Sequence, residues 1–235
     1  MIMALPKLNI VTYDLNLPST GQKVEYRPFL VKEQKALMIA QESGEDALIE
    51  KAFAQIINDC VIDDVDPYQL PMFDVEYIFL RIRGKSVGEK VKLNVLCPDD
   101  EETRVSVDVN LEEVDVQMSV DHSNTIDLGN DVTMVMKYPC LKDMTGFDDQ
   151  GEITNMFEMI KRCVHEVHHG ETVYNKVDIS DKELDEFIDS MTAENFDQIT
   201  EFFNTMPKLI HVVEVKNPKT KKKSEVPIEG LQSFF

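Results

Sequence analysis

Two short segments, VKLNVL (91–96) and RVSVDVNL (104–111), alternate apolar and polar residues strictly on either side of the turn CPDDEET. A period of two puts every second side chain on one face, so the pair predicts a half-buried β-hairpin. A different period stands upstream. Ile49, Ala52, Phe53, Ile56, Ile57 and Cys60 recur at the three- and four-residue spacing of one helix face. A chain that carries both patterns must bury a sheet face and a helix stripe together, which predicts an α+β fold.

The remaining segments extend this reading. LNIVTYDLNL (8–17) and KVEYRPFL (23–30), joined by PSTGQ, predict an N-terminal hairpin, with Pro28 ending its second strand or leaving it at an edge. VKEQKALMIAQES (31–43) has helix-forming composition and stops at Gly44. FDVEYIFLRIR (73–83) is open: its aromatic and β-branched residues favour strand, while Phe73, Tyr77 and Leu80 also fit a helix. NTIDLGNDVTMVMKYP (124–139) predicts one or two strands around Gly129-Asn130. After Pro139 the character changes. EITNMFEMIKRCVHEVHHG (152–170) predicts one helix with Gly170 just past its end, and ETVYNKVDIS an extended segment. Ser180 with Glu183 forms a capping box, Thr192 is the expected cap of a further helix, and Pro207 stops it. KLIHVVEVK and KSEVPIEGL flank a lysine-rich turn as a last hairpin. The expected organisation is a hairpin, helix and antiparallel-sheet region over 1–140 and a mostly helical region with a terminal hairpin over 141–235. One continuous domain is the alternative.

Charge excludes some functions. The formal net charge is −20, a field that repels phosphate backbones and argues against nucleic acid as a partner. No stretch approaches the roughly 18 apolar residues of a membrane span. The opening MIMALPKLNIVTYD lacks a basic n-region, so no signal peptide and an intracellular location are expected. Cys60, Cys97, Cys140 and Cys163 are scattered without a C-x-x-C pair and are expected to be reduced thiols. Lys216, Lys219, Lys221, Lys222 and Lys223 suit a solvated turn, or a contact for an acidic partner. Asp99, Asp100, Glu101 and Glu102 lack the alternate spacing of a calcium loop and suit a solvated turn as well. STGQK lacks the first glycine of a phosphate-binding loop and sits between strands. No cofactor is expected.

One motif spells chemistry. His165-Glu166-Val167-His168-His169 satisfies H-E-x-x-H, in which two histidines one helical turn apart hold zinc and the glutamate is general base. On a wheel of about 100° per residue, Ile153, Met156, Phe157, Ile160, Val164 and Val167 share one side. His165 and His169 fall opposite, with Glu158 and Arg162. Both would-be ligands are therefore expected on an outward face, and no later histidine stands in register as a third ligand. A zinc peptidase is kept as a remote alternative, with no catalytic or metal residue assigned.

Three segments carry a family resemblance: LNLPSTGQKVEYRPFLVKEQKALMIA (15–40), LPMFDVEYIFLRIRGKSVGEKVKLNVLC (70–97) and EGLQSFF (229–235). With them the chain resembles the baseplate hub assembly protein family of T-even-type contractile-tailed bacteriophages. The resemblance spans essentially the whole chain and is weaker over 100–170. Some relatives carry a cysteine-rich knuckle after the LNVLC position. Here Cys97 stands alone before PDDEET, a departure that argues against a zinc knuckle. The resemblance implies a non-catalytic assembly factor or minor hub subunit, acting in the host cytoplasm through contacts with other baseplate hub proteins. The tape-measure protein is a further candidate partner, and a tail chaperone absent from the virion is the alternative role. Phe234 and Phe235 at the chain end are candidate partner contacts, with folding back onto their own domain as the other reading.

Overall fold

The ambiguous segment 73–83 is helical. The computed structural model, which describes residues 9–44, 46–144 and 151–234, is a mixed α+β chain with small antiparallel sheets. In chain order its elements are β1 (Tyr13–Asn16), β2 (Lys23–Tyr26), α1 (Val31–Ser43), α2 (Asp46–Cys60), α3 (Met72–Val87), β3 (Lys90–Leu96), β4 (Arg104–Asn110), β5 (Asp115–Gln117), β6 (Thr125–Gly129) and β7 (Val132–Met136). There follow α4 (Glu152–Cys163), β8 (Val164–His169), β9 (Thr172–Asn175), α5 (Asp181–Asp189), α6 (Ala193–Thr205), β10 (Lys208–Lys216) and β11 (Lys223–Glu229).

The chain divides into two compact units that do not follow its order. One comprises Met1–Pro67, Phe73–Val116 and Leu209–Phe235; the other comprises Tyr68–Met72 and Gln117–Lys208. After the short excursion at Tyr68–Met72, the chain passes into the second unit after Val116, upstream of the composition shift at 140, and the terminal hairpin rejoins the N-terminal segments.

In the first unit, α3 is buried on nearly every side, through Phe73, Val75, Ile78, Phe79, Leu80 and Ile82. Its buried residues lie on every side of the helix, as befits a core helix, and the segment is helical despite its strand-like composition. Phe79 meets Phe53 of α2 edge-on, centroids 4.5 Å apart. β3 and β4 pair in register from Lys90↔Asn110 to Leu96↔Arg104, as the alternation predicts. β10 and β11 pair from Ile210↔Glu229 to Lys216↔Lys223, and β5 completes that sheet in the order β11-β10-β5.

The second unit holds the four-stranded sheet β6-β7-β8-β9 and the helices α4, α5 and α6. Its core is Ile126, Met134, Met136, Ile160, Cys163, Val164, Val167, Leu184, Ile188, Ile199 and Phe202. Ser180 and Thr192 cap α5 and α6 with their hydroxyls, each in a reciprocal capping box.

One sequence expectation is corrected here. The helix predicted over 152–169 ends at Cys163, and the chain passes without a loop into β8. Val164 and Val167 are β-branched and suit a strand, and β7 offers a ladder: Val132↔His169, Met134↔Val167 and Met136↔Val164. Gly170 is therefore not a helix cap. With Glu171 it forms the two-residue turn of a β8–β9 hairpin, and its φ of 58° is that of the first central residue of a type II′ turn.

Candidate functional site

The H-E-x-x-H letters lie on β8. Four strand residues span about 13 Å, against one turn of about 6 Å on a helix, so His165 and His169 are not the adjacent pair that a zinc helix presents. Both are exposed, as the helical reading also expected, but for a different reason. Glu166 turns instead to its strand neighbours: its Oε2 lies 2.9 Å from His168 Nε2, and its Oε1 lies 3.6 Å from His165 Nε2. Among the described residues no group of three or more His, Cys, Asp or Glu side chains is placed to hold a metal ion.

The four cysteines are free and buried. Burial pushes the Cys60 thiol up to about 11 and the Cys163 thiol up to about 12, which keeps both protonated and weakly nucleophilic.

The three segments that carry the resemblance all contribute to the first unit, where polar bonds stitch them together. Asp74, at the start of α3, accepts from the Ser19 backbone N–H at 3.0 Å and from the Ser19 hydroxyl, fixing the PSTG turn. Burial raises the Asp74 carboxyl above its ordinary value, and the two Ser19 bonds work against that rise. In YRPFLVKE, Arg27 donates to Glu33 Oε1 at 2.7 Å and to the Asp59 carbonyl at 2.6 Å. Burial alone would push Glu33 up; its bonds with Arg27, the Leu30 N–H and Lys32 outweigh that and hold it below the usual carboxylate range. The Phe29 N–H donates to Ser86 Oγ of RGKS at 2.9 Å, and Glu76 Oε1 accepts from the Leu231 N–H of EGLQSFF at 3.1 Å. The signature residues thus act as fasteners of one scaffold.

That scaffold takes up Phe234, which is fully buried; Phe235 lies outside the described residues. The two charged turns, each expected to be solvated alone, meet in the same unit. Asn217 Nδ2 donates to Asp99 Oδ1 at 3.0 Å, the Thr220 hydroxyl donates to Asp99 Oδ2, and Lys219 lies 3.6 Å from Glu102.

Apolar surface remains outside. On α1, Val31, Met38 and Ile39 are exposed. On α4, Ile153, Met156 and Phe157 belong to the stripe expected to face inward, yet Ile153 is 71 % exposed, and only Ile160 and Cys163 of this helix are buried. Between the β8–β9 hairpin and α5 runs a groove of about 340 Å³, floored by Val167 and Leu184 and walled by Ile179, Phe187 and Tyr174. Sequence reasoning missed this groove, because it exists only once 164–175 is a hairpin.

A family model described as "T4 bacteriophage base plate protein" matches residues 10–235. The chain belongs to this family. No curated protein and no solved structure matches it. Membership makes this a phage baseplate protein and implies contacts with other phage proteins. Among the described residues no helix is long and apolar enough to cross a membrane.

Proposed function

We propose that this baseplate protein is a hub assembly factor or minor hub subunit that works in the host cytoplasm through protein–protein contacts and without catalysis. The observation that carries the reading is the fate of the signature segments. Their polar residues fasten the first unit to itself, through Ser19–Asp74, Phe29–Ser86 and Leu231–Glu76, which suits a scaffold role. Exposed apolar faces on α1 and α4 supply surface for partners.

The test is co-expression with the neighbouring tail genes followed by size-exclusion chromatography, with a pull-down from infected cells. Co-elution with another hub protein is expected. Recovery of no tail protein would overturn the reading. A second reading, a tail chaperone that binds the tape-measure protein and leaves before the virion is complete, draws on the net charge of −20, which keeps an assembly intermediate soluble. Mass spectrometry of purified virions separates the two, since abundant peptides of this chain sink a purely transient role.

A further inference from the structure

The geometry points to the groove between the β8–β9 hairpin and α5 as a docking site for an extended, apolar and basic segment of a partner protein, which adds as a strand to β9. This deepens the proposed function, on which it rests, by naming a surface and the chemistry of what it takes.

Three observations converge within the second unit. First, β9 is an edge. It pairs with β8 from Glu166↔Asn175 to His169↔Thr172, and among the described residues no strand lies on its other side. Alternate residues of such a strand turn N–H and C=O groups outward, and those groups template a further strand. All four residues, Thr172, Val173, Tyr174 and Asn175, are exposed, and no proline, bulge or charge within β9 blunts the edge. Second, the groove is lined by Val132 of β7, Val167 of β8 and Tyr174 of the edge strand, with Leu184 and Phe187 of α5 opposite, and is large enough at about 340 Å³ for one or two bulky side chains. Third, the surround is acidic. From Glu171 to Asp189 the chain carries seven carboxylates against Lys176 and Lys182, and both lysines are already engaged, with Asp181 and Glu186. Asp178 and Glu183 stand at the groove itself, with His169 and the Tyr174 ring.

The charge selects the occupant. Lysine or arginine flanking an apolar anchor complements this rim, and a second copy of the chain would bring another −20 to it. The exposed faces of α1 and α4 lack such a selecting feature.

The test uses the full chain and fluorescein-labelled heptapeptides that alternate lysine with leucine, glutamate with leucine, or lysine with serine. Saturable anisotropy binding is expected for lysine–leucine alone. Tyr174→Ala and Asp178→Lys, both at exposed positions, should each weaken it at least about fivefold while circular dichroism stays unchanged. Bound peptide should also slow hydrogen exchange at 172–175. Equal binding of the lysine–serine peptide, or binding indifferent to Tyr174→Ala, would show mere charge attraction and overturn the site. So would a dimer in size-exclusion chromatography that Tyr174→Ala dissolves, since the occupant would then be a second copy. The two levels fail separately. Loss of hub co-elution in the wild type, with peptide binding intact, counts against the hub role. Unchanged hub co-elution by both groove variants counts against this groove.

Discussion

At the scale of single residues, the polar groups inside the first unit define where the fold is vulnerable. Glu33 is buried, and Arg27 is its main partner, with the more exposed Lys32 at 3.1 Å. Removing the guanidinium leaves the buried carboxylate with only the Leu30 N–H and Lys32, and breaking a buried pair costs about 3–5 kcal/mol. Arg27→Met should therefore destabilise by that order, toward the lower end because Lys32 stays. Arg27→Met combined with Glu33→Met should recover much of the loss. Urea unfolding of the two single variants and the double variant checks this, and simple additivity would refute the pairing. Glu76 makes a different case. Burial lifts its carboxyl above the ordinary value, and the Leu231 N–H offsets only part of the lift. The folded chain thus holds this proton more tightly than the unfolded chain does. Its contribution is fullest below the ordinary glutamate value and is lost as pH rises through the raised one. Glu76→Gln keeps an acceptor for Leu231 and removes the charge, so relative to wild type it should gain stability between pH 4.5 and pH 7. Glu76→Ala removes the acceptor and should cost about 1–3 kcal/mol at either pH. A Gln variant whose difference from wild type is flat with pH would show that Glu76 is not the titrating group.

At the scale of elements, the meeting of the two charged turns has a consequence for proteolysis. The lysine-rich turn between β10 and β11 is an obvious tryptic site, and it is held by Asp99 through Asn217 and Thr220. The Lys219–Glu102 pair is well exposed on both sides and adds little. Asp99→Ala should free the turn and speed tryptic cleavage after Lys219 to Lys223 several-fold, while Glu102→Ala should leave the rate near wild type. Equal effects of the two would assign the restraint to charge and not to the hydrogen bonds. Neither turn announces the other in the sequence, because their meeting depends on two hairpins set side by side by the fold. The hairpins themselves were legible: strict alternation in 91–96 and 104–111 fixes the register that β3 and β4 adopt. β8 was not legible, for a specific reason. Its pairing shifts at Val135/Met136, so that Val164 faces Met136, Glu166 faces Val135, and His165 is the extra residue. A bulge of this kind puts Val164 and Val167, three apart, on one buried face. Three apart is also helix spacing, so the pattern satisfied both structures and the wheel chose the wrong one. The distinguishing signal was Gly170-Glu171 between two β-capable runs, a two-residue hairpin turn. The apolar groove against α5 follows from that turn and was hidden with it.

At the scale of the molecule, most of the second unit, Gln117–Lys208, interrupts the first in sequence. The chain leaves the first unit after Val116 and returns at Leu209. What returns is part of the core: Leu209, Val213, Val215, Ile228, Leu231 and Phe234 are all buried. Six such side chains account for roughly 10 kcal/mol or more of gross burial, comparable with the entire 5–15 kcal/mol or so by which a domain is stable. The first unit is therefore expected to close only once this segment is in place, and contacts of such long sequence separation form slowly. The described core cluster of the second unit runs from Ile126 to Phe202, and its one distant segment, Tyr68–Met72, lies well before residue 208. A chain ending at residue 208 should therefore lose one unit and keep the other. In hydrogen exchange, amides of α3, β3 and β4 should exchange as in an unfolded chain, while those of β7 and β8 should stay protected. Protection of α3 in the shortened chain would mean that the terminal hairpin only covers a core already complete. Loss of protection in β7 and β8 as well would mean that the inserted unit draws its stability from the one that surrounds it in sequence.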